Sequence, residues 1–203
     1  MAAACPYMAD KARQGLLAYN LNFTLRAGTA DWNVDLVLGN PPPGTQPPAS
    51  LTGIPRMTPS TIEVAIEVKS VMTEHRKAVK NRKRDFEAHH EHVHHYDSRA
   101  IAGGCLIVNA APRFQSPLRQ GETVHKNPRA LIEHCLAEFR AVAMRGGQAG
   151  VGLDAKAAVV IEMDNMNLKE TKFVDRAPAP AVGDPMHYDA FIQKVRSEYR
   201  ARF

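Results

Sequence analysis

From Thr61 to Ser70 the chain reads Thr-Ile-Glu-Val-Ala-Ile-Glu-Val-Lys-Ser, with Ile62, Val64, Ile66 and Val68 at every second position. Side chains on a strand switch faces at each residue, so this stretch predicts a β-strand with one wholly apolar face. Glu63, Ala65, Glu67 and Lys69 fall on the other face. Glu67 and Lys69 are two apart and project the same way, about 6–7 Å from each other along the strand. Charge of both signs gathered on one face suggests a site. The plainer reading is a half-exposed strand whose neighbouring charge pair contributes little.

The same alternation predicts strands over Leu21 to Arg26 and Trp32 to Leu38, joined by a turn at Ala27-Gly28-Thr29-Ala30. In the second strand Trp32, Val34, Leu36 and Leu38 share a face, and Asn33, Asp35 and Val37 take the opposite one. Asp35 thus stands inside an apolar run, where a carboxylate is costly unless it is paired, hydrogen-bonded or holding a metal. Upstream, Asp10 to Tyr19 predicts a short helix with Ala12, Leu16 and Tyr19 on its apolar side. Residues 40–59 contain seven prolines and predict a loop or flap between the Asp35 and Glu67 strands. Such a flap either covers one end of a cleft or is an insertion without a role.

From Val71 to Asp97 there is no proline or glycine, and Met72, Val79, Phe86 and Val93 recur every seventh position. That thin seam predicts a helix about 40 Å long. Its first half is basic, and its second half carries the run His89-His90-Glu91-His92-Val93-His94-His95. Ala102-Gly103-Gly104 predicts a break before a short apolar strand, Cys105 to Asn109. Strand, long helix and strand imply two parallel neighbours. Asn127-Pro128 opens a further helix with Leu131, Cys135, Phe139 and Val142 on its core side, ended by Gly146-Gly147. Ala157 to Met163 predicts another strand, residues 176–184 a linker, and Asp184-Pro185 the start of a final helix over residues 185–202. The whole is a mixed α/β sheet in one domain, with its core over about residues 10–165.

Composition narrows the class without assigning a function. The chain has 203 residues, 44% hydrophobic and 23% charged, ordinary for a soluble globular domain. A net charge of +5 permits an anionic partner. Cys5, Cys105 and Cys135 are far apart and lack zinc-binding spacing, which suggests a reducing compartment. No run has signal-peptide or membrane-span length, so the expectation is a cytoplasmic protein with no membrane partner.

Asp on one strand, then Glu-x-Lys on the next, in helix-strand-strand-strand-helix-strand order, resembles the PD-(D/E)XK nuclease superfamily. Here the motif reads Val34-Asp35 and Glu67-Val68-Lys69, with Val34 in place of the usual proline. The likeness covers roughly Asp10 to Asn109. It implies a restriction-endonuclease-like fold, an αβββαβ core whose mixed central sheet is flanked by helices, with C-terminal helical and strand additions. It further implies a metal-dependent endonuclease that hydrolyses phosphodiester bonds, in DNA above all, of restriction, phage or defence type. Asp35, Glu67 and Lys69 would be catalytic. Asp35, Glu67 and the backbone carbonyl of Val68 would hold Mg²⁺, for which Mn²⁺ substitutes, with Glu63 a candidate for a second metal. Lys69 would orient or deprotonate the attacking water.

His75, Arg76, Lys77, Lys80, Arg82, Lys83 and Arg84 suit contacts to the nucleic-acid backbone, or equally a solvated helix face. One site cuts one strand, so double-strand cleavage calls for a homodimer or two binding events. Three alternatives stay open: a catalytically inert nucleic-acid-binding module of the same fold, an RNA- or structure-specific nuclease, and an α/β protein binding a small anion. Within the histidine run, His90 with His94 or Glu91 with His95 has metal-binding spacing. A zinc site needs three or four converging ligands, however, and a pH-sensitive face or self-association surface fits better.

Overall fold

The computed structural model describes residues 5–27, 30–45, 53–117, 120–166 and 170–203. The turn expected at Gly28-Thr29 lies outside them. In chain order the elements are α1 (Pro6–Arg13), β1 (Ala18–Ala27), β2 (Ala30–Gly39), β3 (Val64–Val71), α2 (His75–Tyr96), β4 (Ile101–Asn109), β5 (Arg113–Gln115), β6 (Glu122–Val124), α3 (Pro128–Arg140), β7 (Ala155–Glu162), β8 (Lys172–Phe173) and α4 (Tyr188–Arg202). One mixed six-stranded sheet runs β1-β2-β3-β4-β7-β8. The β1–β2, β2–β3 and β7–β8 pairs are antiparallel, while β3–β4 and β4–β7 are parallel. The fold is α/β, with helices on both faces of the sheet. No helix among the described residues is long and apolar enough to cross a membrane.

Two apolar clusters sandwich the sheet. On one face Val79, Phe86 and Val93 of α2 and Ile132, Cys135, Leu136 and Phe139 of α3 pack with Ala65, Ala102, Leu106 and Val108. On the other, Met8 and Ala12 of α1 and Phe191, Val195 and Tyr199 of α4 pack with Val64, Ile66 and Ile101. The seven-residue seam therefore faces the core as expected, except Met72, which precedes the helix.

The strict alternation expected from sequence slips in two places. Val34 and Val37, three positions apart, join one cluster, while Leu36 and Leu38 join the other. The slip coincides with the one gap in the β1–β2 ladder, where Asn22, with φ +50°, and Asp35 are skipped. Before β3 the backbone bends at Glu63, so Ile62 packs beside Ala65 rather than beside Val64 and Ile66.

Gly103 and Gly104 do not break β4 but lie inside it. A Cβ at Gly103 would stand 2.4 Å from Ile66 Cδ1, and one at Gly104 2.9 Å from both Leu153 and Phe86. These glycines let side chains from both layers close on the strand. The first helix ends earlier than the pattern predicts, and Tyr19 belongs to β1. The proline-rich connection is irregular where described, and it returns along the start of β1. Tyr19 N–H donates to Pro55 O and Met57 N–H to Tyr19 O. Tyr19 pairs with Leu38, near the start of β3, so these parts of the loop lie away from Lys69.

Candidate active site

The β2–β3 ladder holds only Leu36–Ile66, Val37–Ala65 and Leu38–Val64. Continued by one step it would pair Asp35 with Glu67. Instead the strands part there, and the Asp35 side chain spans the gap: Oδ2 accepts a hydrogen bond from the Val68 main-chain N–H at 2.7 Å. An amide donating to a carboxylate is stronger than a neutral pair and fixes the acceptor's orientation. The strand distortion at Asp35 and the opening of the ladder thus bring the first acidic residue onto the backbone of Glu67-Val68-Lys69.

Glu67 lies beneath α2 and is fully closed to solvent (0%). The Lys69 ammonium is ion-paired with its Oε1. His89 Nδ1 stands 4.0 Å from Oε2. His89 Nε2 is 3.3 Å from Ala65 O, so in the neutral ring Nε2 carries the proton and a bare Nδ1 faces the carboxylate. Burial pushes the His89 pKa down to about 3, which keeps that ring neutral. Apart from the Lys69 ammonium and the Asp35 main-chain amide, which both favour the charged form, neither Glu67 oxygen has a partner among the described residues. Burial, with the Asp35 charge adding to it, holds the Glu67 pKa above the ordinary carboxylate value against the opposing pull of Lys69.

The donor set fits a hard divalent cation. Asp35 and Glu67 supply carboxylates from adjacent strands, and Val68, between Glu67 and Lys69, supplies a main-chain carbonyl. Among the described residues no group of three or more His, Cys, Asp and Glu side chains is placed to hold a metal. An ion on Asp35 and Glu67 would complete its shell with main-chain oxygen and water, as Mg²⁺ prefers. Glu67, closed off and under-neutralised, is the group that such an ion would relieve.

The remaining expected residues divide. Glu63 is not brought to this site. Its bend sends the side chain to the opposite layer, where Oε1 accepts from Lys11 Nζ at 2.5 Å and Oε2 from the Tyr199 hydroxyl. It ties α1 and α4 to the sheet and offers nothing to a metal near Glu67. His75 is buried and bonded to Asn109 O, so it does not share the exposed face that carries Arg76, Lys77, Lys80 and Arg84. Arg82 pairs with Asp85 at 2.8 Å and Lys83 approaches Glu138 at 3.9 Å. Arg76, Lys77, Lys80 and Arg84 are exposed.

The histidine run is dispersed by helical geometry. His89 backs Glu67, His92 stacks on Trp32 at 5.0 Å, and His94 Nε2 lies 2.9 Å from Asp154 Oδ2. Sequence reading missed Asp154, a buried hub that also accepts from Ala102 N–H at 2.8 Å and pairs with Arg202 and Arg145. Only its position at the mouth of an apolar strand could have flagged it.

Neither a protein-family model, nor a curated protein, nor a solved structure matches the chain.

Proposed function

We propose that this chain is a metal-dependent endonuclease of the PD-(D/E)XK type, acting on phosphodiester bonds in DNA. The observation that carries the reading is the Asp35–Val68 bond beside a buried, under-neutralised Glu67 and its Lys69 neighbour. Support also comes from the element order α1-β1-β2-β3-α2-β4, with β3 and β4 parallel, which agrees with the αβββαβ core that the motif implies. Mg²⁺ or Mn²⁺ on Asp35, Glu67 and the Val68 carbonyl would lower the pKa of a bound water and neutralise charge on the phosphate.

The chain's own groups do the rest. Asp35 is held in place by the Val68 amide. Lys69, partly exposed, offers ammonium protons to orient the attacking water and offset phosphate charge. Exposed Arg76, Lys77, Lys80 and Arg84 supply contacts to the backbone that do not depend on sequence. Cutting both strands calls for two copies of the chain or two encounters.

One observation favours a second reading, a nucleic-acid-binding module that does not cut: Glu67 is closed to solvent and already paired with Lys69. Plasmid DNA and RNA incubated with Mg²⁺, Mn²⁺ or EDTA separate the two. The nuclease reading expects metal-dependent nicking that Glu67→Ala and Lys69→Ala abolish. Binding without cleavage under any metal supports the inert module, and cleavage that persists in both variants overturns the site.

A further inference from the structure

Where the starts of α2 and α3 meet the end of β6, a pocket of about 610 Å³ opens, with His75, Arg76, Lys77, His125, Lys126 and Asn127 in its wall. Two helix N-termini converge there, and neither helix has an acidic residue in its first turn. Amide dipoles at such ends favour negative charge. That alone would not make a site. The histidines do.

His75 and His125 are almost fully buried, 2% and 6% exposed, and their rings meet edge to face with centroids 4.6 Å apart. Each has one nitrogen committed to a main-chain carbonyl. His75 Nε2 is 2.8 Å from Asn109 O, and His125 Nδ1 is 2.6 Å from Ala111 O. A carbonyl only accepts, so each of those nitrogens carries a proton. The other nitrogens, His75 Nδ1 and His125 Nε2, are buried and have no partner among the described residues. Two unpartnered buried nitrogens on neighbouring rings are a standing cost unless something uses them.

We propose that this pocket binds a phosphate group, and that His75 and His125 take up protons as it enters. Protonation turns both bare nitrogens into donors while the carbonyl bonds stay intact. Arg76, Lys77 and Lys126 add positive charge around the same cavity. A metal ion is the wrong occupant. Two imidazoles fall short of a zinc shell, no third acidic, thiol or imidazole ligand joins them among the described residues, and the surrounding charge repels a cation.

Cations outnumber acids among the groups facing the histidines. Among the described residues Glu74 is the one acid in the wall, set against Arg76, Lys77 and Lys126. From α3, the Cys135 thiol points at His75 O and stays neutral, its pKa pushed up to about 12 by burial. Without an anion, burial and then the His125 neighbour hold the His75 pKa below its ordinary value. Phosphate affinity therefore rises as pH falls, by up to about tenfold per pH unit for each proton taken up.

Phosphate binding at the pocket stands by itself; its assignment to a nucleic-acid backbone rests on the nuclease reading. His75 follows Lys69 by six positions, and Asn109 and Ala111 lie at and just past the end of β4, so pocket and motif share the C-terminal edge of the parallel strands. A substrate phosphate adjoining the scissile one is the natural occupant there.

The test is histidine side-chain NMR of the whole chain in EDTA at pH 6 and pH 8, titrated with inorganic phosphate and with a DNA oligonucleotide. The expected result is that the His75 and His125 signals move to the imidazolium pattern on phosphate addition, with binding at least about tenfold tighter at pH 6. Arg76→Ala and Lys126→Ala, both at exposed positions, should weaken it severalfold, and Glu67→Ala should leave it unchanged whether or not the chain cleaves DNA. A response to both titrants supports the backbone source; a response to inorganic phosphate alone supports the pocket and assigns it to a free phosphate or nucleotide. Unmoved histidine signals, equal affinity at both pH values, or a response to Zn²⁺ in place of phosphate overturns the proposal.

Discussion

Asp35 Oδ2 accepts a hydrogen bond from the Val68 main-chain N–H at 2.7 Å, just where the β2–β3 ladder has stopped. This contact replaces a ladder bond and holds a carboxylate against the backbone of the Glu-x-Lys segment. Charge and geometry at Asp35 are therefore separable. Asp35→Asn retains an oxygen for the Val68 amide, so its unfolding free energy should stay within about 1 kcal/mol of the parent. Cleavage should fall by at least about a hundredfold, because the negative charge is gone. Asp35→Ala should lose both. Urea unfolding beside a nicking assay checks this, and an Asp35→Asn protein that cuts at the parent rate would remove Asp35 from the site.

Glu67 makes the opposite kind of prediction, since its burial weighs against the fold. Its folded pKa lies above the ordinary carboxylate value, so near and above that value the folded chain binds more protons than the unfolded one. Stability contributed by this residue is then present at low pH and lost as pH rises through the folded pKa. In EDTA at pH 7, Glu67→Gln should raise stability by on the order of 1 kcal/mol while abolishing cleavage. The gain should shrink as pH falls toward the ordinary carboxylate value of 4.5. Thermal unfolding across that range is the measurement; a Glu67→Gln protein that is less stable at pH 7 would contradict the under-neutralised carboxylate.

Asp154 is where a charge holds the structure together. Burial pushes its pKa up, but hydrogen bonds from His94 and Arg202 outweigh that and keep it below the usual range. Arg145 and Arg202 reach it with side chains only 2% and 3% exposed. Asp154→Ala would leave buried Arg145 with main-chain carbonyls alone and Arg202 with Glu198 as its remaining acidic partner, and should cost about 3 kcal/mol. Arg129→Ala, which breaks an exposed pair with Glu133, should cost no more than about 0.5 kcal/mol. Chemical denaturation midpoints decide it, and equal costs would mean that the hub is not holding α4 to the sheet.

How much of this was legible in the sequence follows from what local pattern can encode. The alternation at Val64–Val71 and the seam Val79, Phe86, Val93 marked β3 and α2, although Val64 to Glu67 prove buried on both faces of the sheet, which the alternation alone does not show. Asp35 and Glu67 stood out as carboxylates inside apolar runs. What failed were the places where a bend or a third element intervened. The turn of the backbone at Glu63 carried that side chain to Lys11 and Tyr199, contacts 52 and 136 positions away. Gly103 and Gly104 read as punctuation, yet Ile66, Phe86 and Leu153 require them inside β4. The histidine run read as one feature, and a turn of 3.6 residues sent its members to Glu67, Trp32 and Asp154 instead. His75 read as a surface contact because nothing local reveals that Asn109 and His125 enclose it.

The central claim is that Asp35 and Glu67 share a divalent cation, and a Mn²⁺-soaked crystal tests it most directly through anomalous scattering. The account predicts a peak bonded to carboxylate oxygens of both residues, lost in Glu67→Gln. A map with no peak there, and Glu67 still held by Lys69, would contradict it.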